Sequence, residues 1–94
     1  MKNRLTFRKG KAHYPYRYIF VWYLLVDKRQ WDAHTYIFML QLTHVTHDRY
    51  CIAYKKKTLC TEEGVSIRYS TLQKAKRALV EHFNFVQASN EQSH

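Results

Sequence analysis

The chain reads as a small α+β domain: a four- to five-stranded antiparallel β-meander with one C-terminal α-helix packed on one face. Three observations carry that reading. Aromatic and β-branched runs of strand length fill much of the chain before residue 70. The links between them are short, which demands antiparallel neighbours. The clearest helical spacing of apolar side chains begins at about residue 71.

The elements follow in chain order. Residues 1–15 carry charge, Gly10 and Pro15 but no apolar period, and read as a basic flexible N-terminal arm. Residues 16–26 are almost wholly apolar, as a buried strand is. Within them, residues 19–26 imitate the apolar part of a signal peptide. Asp27, Lys28 and Arg29 stand where a small-residue cleavage site belongs, and the run is too short to cross a bilayer. Residues 27–33 form a polar loop containing Trp31. Residues 36–45 alternate Tyr36, Phe38, Leu40 and Leu42 with Ile37, Met39, Gln41 and Thr43, giving a second long strand. His47 and Asp48 make a turn, and residues 50–55 a third strand.

Lys55 and Lys56 suit a two-residue turn, which would set Cys51 opposite Cys60. Two cysteines make no disulfide framework; they point to reduced thiols and a cytoplasmic setting, with a cross-strand bridge geometrically open. Residues 58–61 fit a short extra strand. Val65, Ile67 and Tyr69 alternate with Ser66 and Arg68 in a last strand. Ser70 and Gln73 form a capping box for a helix over about 71–87, whose apolar stripe is Leu72, Ala75, Leu79, Phe83 and Val86. Residues 88–94 are a polar C-terminal tail. A single domain over 16–87 results.

The first strand is apolar on both faces, and one helix covers only one. A homodimer through the aromatic-rich sheet is the simplest way to cover the other.

The charge balance suggests the class of partner. Sixteen Lys and Arg face seven Asp and Glu, for a formal net charge of +9. Lys2, Arg4, Arg8, Lys9, Lys11 and Arg17 fall in the first 17 positions without an acid among them. Such a field attracts polyanions, nucleic acid first. Basic and aromatic residues also interleave, around Arg17, at Arg49 and Tyr50, over 54–57, and at Arg68 and Tyr69. Cations neutralise phosphates, and rings offer stacking surfaces. Lys74, Lys76 and Arg77 crowd the positive end of the helix dipole, where acids would be more stable; that pattern suits a phosphate. The expected nucleic-acid-binding residues are therefore Arg17, Arg49, Lys55, Lys56, Lys57, Arg68, Lys74, Lys76 and Arg77.

The helix opening, Ser70 and Thr71 followed by Ala75 and Ala78, resembles that of small sheet-plus-helix DNA readers of plant transcription factors and integrase arms. Residues 70–83, with Lys74-Ala75-Lys76, are also similar to the last helix of double-stranded-RNA-binding domains. No helix precedes the sheet, a departure from the latter pattern. These are analogies of architecture covering under half the chain.

Catalytic motifs are sparse. His44, His47, Cys51 and Cys60 fit no standard zinc spacing, so no metal and no cofactor is expected. His44 and His47 beside Asp48 could serve metal-independent RNA cleavage as base and acid. The expected function is non-enzymatic binding of DNA or RNA, mainly through the phosphate backbone. The alternative is a viral or plasmid-type accessory protein that inhibits a host protein or nucleic-acid-processing complex, and the third reading is a small ribonuclease. No membrane partner is expected.

Overall fold

The apolar run of the first strand becomes β2 (Arg17–Val26), around which the sheet is built. The structure, a computed structural model, describes residues 3–14, 17–40 and 47–92. On one side β2 pairs antiparallel with β1 (Leu5–Tyr14), from Leu5 opposite Val26 to Tyr14 opposite Arg17. On its other side β2 pairs with β3 (Arg29–Gln30) and then β4 (Tyr36–Met39). β4 pairs with β5 (Tyr50–Tyr54), and β5 with β6 (Lys57–Thr58). The six strands run β1-β2-β4-β5-β6, with β3 on the β4 side of β2. A single helix, α1 (Leu72–Gln92), follows the sheet and packs on it. The fold is thus the α+β antiparallel meander with a C-terminal helix.

The N-terminal segment departs most from expectation. Residues 5–14, read as a flexible arm, are strand β1. Leu5 and Phe7 alternate with exposed Thr6 and Arg8 and pack against the core. Lys9 and Lys11 continue the face of Leu5 and Phe7, so charge hid a period of two. Of the expected strand 36–45, Tyr36–Met39 is strand, and Leu40 N donates to Arg49 O at 2.8 Å. Residues 41–46 lie outside the described residues. The expected last strand makes only isolated bridges, Tyr50 with Tyr69 and Cys60 with Ser66.

Two tight turns carry side chains where glycine is usual. φ is positive at Asp27 (51°) and Lys28 (70°), and at Lys55 (50°) and Lys56 (76°). Positive φ at both central residues is the geometry that matches the twist of a two-residue hairpin. Asp27 offsets the strain locally: its N–H donates to Arg4 O and its Oδ1 accepts from Arg4 N, both at 2.9 Å.

Between β3 and β4 the chain leaves the sheet. Gln30 pairs with Leu25 and Tyr36 with Tyr23, so residues 31–35 all answer to Leu24. The excursion carries Trp31 edge-on to Phe83, ring centroids 5.0 Å apart. It ends in a polar knot around Thr35, which is 1% exposed. Thr35 Oγ1 donates to Asp32 Oδ2 at 2.8 Å and accepts from Lys55 N at 3.2 Å. Lys56 N donates to His34 O at 3.1 Å, so the lysine turn is tied to this loop at two points.

α1 begins one residue later than the capping box implies. Thr71 Oγ1 accepts from Lys74 N at 3.2 Å, whereas Ser70 Oγ accepts from Lys74 Nζ at 3.0 Å. Residues 88–92, expected in a polar tail, continue the helix. Ala75, Leu79 and Phe83 bury against Leu24, Ile37 and Ile52. Alternation sends Val21, Tyr23, Tyr36, Phe38, Cys51 and Ala53 to the opposite face. That face is closed largely by its own rings. Tyr23 and Tyr36 meet at 5.8 Å, Tyr36 and Phe38 at 6.1 Å, and Arg8 lies over Tyr23 at 5.5 Å. Gly10 makes room for them, since a Cβ there would stand 3.1 Å from Tyr23 Cε2. Every described large apolar side chain of this face is buried or half-buried. The face that pointed to a second copy is thus covered in part by the chain's own side chains.

Thr35→Val should cost about 1–3 kcal/mol, because it strips a partner from two polar groups while keeping the shape. Urea unfolding checks this, with Thr35→Ser retaining most of the stability.

Candidate functional site

Lysines and rings converge where α1 stops covering the sheet. On the helix side, Lys9 stands opposite Trp22 and Lys11 opposite Phe20 across the β1–β2 pair. Lys9 Nζ lies 4.2 Å from the Phe20 ring centroid and 5.9 Å from that of Trp22. Lys11 Nζ lies 5.7 Å from Phe20. From the helix, Lys76 reaches down to the Phe7 ring at 5.4 Å. Phe20 is 37% exposed; Trp22 is half-buried and anchored edge-on to Tyr50 at 6.0 Å. The local reason is the alternation of β1. Its positions under the helix are Leu5 and Phe7, and its next positions on that face, Lys9 and Lys11, lay aliphatic stems along rings and lift their charge to water.

The field here is unopposed. Among the described residues the one ion pair is His47 with Asp48, at 3.3 Å, and no Lys or Arg is paired with an acid.

The other expected site residues are scattered. Lys55 and Lys56 form the turn after β5, Lys57 opens β6, and Lys55 Nζ sits 5.3 Å from the ring of Tyr54. His82 packs on Tyr54 at 4.5 Å. Lys74 precedes His82 by eight residues, so it lies about 12 Å further back along the helix axis. The turn lysines therefore lie beside the middle of α1, about two turns from the helix-start lysine. Lys74, Lys76 and Arg77 also do not form one cluster. Successive residues turn by about 100°, which sends Lys76 toward β1 and leaves Lys74 on Ser70. Arg77 is exposed, and Arg68 is exposed on the far face, close enough to Cys51 to act on it. Arg49 is half-buried, its Nε without a hydrogen-bond partner among the described residues. Arg17 opens β2, in register with Tyr14. Lys9 and Lys11 count in the sequence only as charges of the basic arm and not among the expected binding residues; the alternation of Leu5, Phe7, Lys9 and Lys11 is the signal that places them on one strand face.

Comparison with protein-family models, with curated proteins and with solved structures finds no match.

The reactive side chains are dispersed. Burial pushes the Cys51 thiol up, and the Arg68 charge pulls it partly back, so the thiolate is disfavoured. Cys60 is exposed, and both thiols are free. Of the histidine pair, His44 lies outside the described residues, and among those described exposed His47 meets Asp48 alone. No group of three potential metal ligands occurs among the described residues. His82 is half-buried, with Nε2 lacking a hydrogen-bond partner among the described residues, and burial holds its pKa below the ordinary 6.5.

Two expectations follow. The unfolded chain takes up the His82 proton near its ordinary pKa while the fold resists it. Stability is therefore unaffected above that value and falls as pH drops below it. Urea midpoints at about pH 7.5 and about pH 5.5 should differ less in His82→Leu than in the parent. At the helix start, Lys74→Glu should gain about 0.3–1 kcal/mol from the dipole, read by the same unfolding assay.

Proposed function

We propose that this protein is a non-enzymatic nucleic-acid-binding protein whose contacts go mainly to the phosphate backbone. The observation that carries the reading is the gathering of Lys9, Lys11 and Lys76 over exposed and half-exposed rings, with no acid paired to them among the described residues. A polyanion neutralises this cluster by releasing its own counterions, which gives affinity without a dedicated base-reading residue. The net charge of +9 adds long-range attraction. The lysine turn, Lys55 and Lys56, offers a second point of contact at the far end of β5. Together the two spots suit an extended polymer better than a small anion.

The test is fluorescence anisotropy with labelled DNA and RNA across a salt series. Lys9→Gln, Lys11→Gln and Lys76→Gln together should weaken binding and flatten the plot of log affinity against log salt by about 2–3. Lys55→Asn with Lys56→Gly should flatten it by less than about 2, while raising stability because these residues favour positive φ. Absence of binding by the parent at low salt would sink the reading.

A further inference from the structure

We infer that the surface of Phe7, Lys9, Lys11, Phe20, Trp22 and Lys76 takes unpaired bases, so that the preferred ligand is single-stranded nucleic acid. The inference rests on the nucleic-acid-binding reading and sharpens it. In a duplex the faces of the bases are consumed by their neighbours, and a flat sheet meets only phosphate and sugar. In a single strand those faces are free and stack on aromatic side chains whatever the sequence.

The geometry suits the second case. Phe20 is one of three large apolar side chains exposed among the described residues, and it lies between two lysines. Lys9 and Lys11 are two residues apart on one strand face, about 7 Å along the strand. That span lets both ammonium groups serve neighbouring phosphates while a base lies between them on Phe20. Lys9 now occupies the ring at 4.2 Å. An exposed cation–ring contact is weaker than a base stack, so Lys9 can swing its flexible stem aside to a phosphate and yield the ring. Trp22 stands two residues along β2 on the same face, within 5.9 Å of the same ammonium, and extends the platform inward. Lys76 over Phe7 borders it on the helix side.

Phe20→Leu keeps an apolar side chain of similar reach but removes the π-face. Its binding to a labelled oligothymidylate and to a mixed-sequence duplex of the same length is compared with the parent at one salt concentration. The parent should prefer the single strand. Phe20→Leu should lose roughly 5- to 100-fold of single-strand affinity, with its salt slope and duplex affinity nearly unchanged. Trp22 supplies a readout in the intact chain, since oligothymidylate should quench tryptophan emission more than the duplex does. The quench should disappear in Trp22→Phe, which retains Trp31. Equal parent affinity for both nucleic acids, with Phe20→Leu indifferent, would overturn this inference and leave phosphate-backbone binding standing. No binding to either would remove both. Loss of duplex and single-strand affinity in equal measure would mean that Phe20 only positions the lysines, and would also overturn it.

Discussion

A single helix is narrower than the sheet it must cover, and most of this structure is an answer to that mismatch. Five strand positions spaced by about 4.8 Å span about 19 Å, whereas a helix with its side chains is about 10–12 Å across. α1 spends its width on β4, β5 and the near side of β2, through Ala75, Leu79 and Phe83. Trp31, carried out of the sheet by the 31–35 excursion, fills one flank against Phe83. The other flank, toward β1, is filled by lysine stems over Phe7, Phe20 and Trp22. The candidate site is thus the margin of the sheet that α1 borders and reaches through Lys76. Its covering stems lie on the rings while their charged ends reach water.

What could be read in the sequence divides along the same line. β2 and β5 were legible as apolar, β-branched and aromatic runs of strand length, and α1 by its single apolar stripe, with burial that agrees. β1 was not. Its inward positions change from Leu5 and Phe7 to Lys9 and Lys11 where the helix cover ends, and that boundary is a tertiary fact. The lysine-rich turn was legible as a turn, but its separation from Lys74 was not, since nothing local says along which strand the helix lies. The cap slipped by one residue because the Ser70 and Thr71 hydroxyls are both competent acceptors, and it is Thr71 that takes the Lys74 N–H while Ser70 takes the Lys74 ammonium.

Electrostatics and stability pull against each other throughout. Lysines sit near the positive end of a helix dipole, in a turn where φ is positive, and together over a ring, and acids that could relieve them are placed elsewhere. Asp27 and Asp32 do satisfy neighbours, but those neighbours are backbone groups and hydroxyls of the loops. The acids in these places secure the connections of the sheet and leave the cationic side chains unneutralised. A chain selected for stability alone would distribute them differently.

β1 also ends the sheet, and its outer edge carries Arg8, Lys9 and Lys11. Charged side chains on an edge keep it from pairing with the edge of another molecule. Any polyanion that neutralises these residues removes that protection and crowds several chains along one polymer at the same time. Mixtures near charge equivalence should therefore grow into large, turbid particles held partly by strand pairing between chains, and excess polyanion should disperse them by spreading the chains apart. On the nucleic-acid-binding reading, the colloidal behaviour of such mixtures should follow stoichiometry as much as concentration.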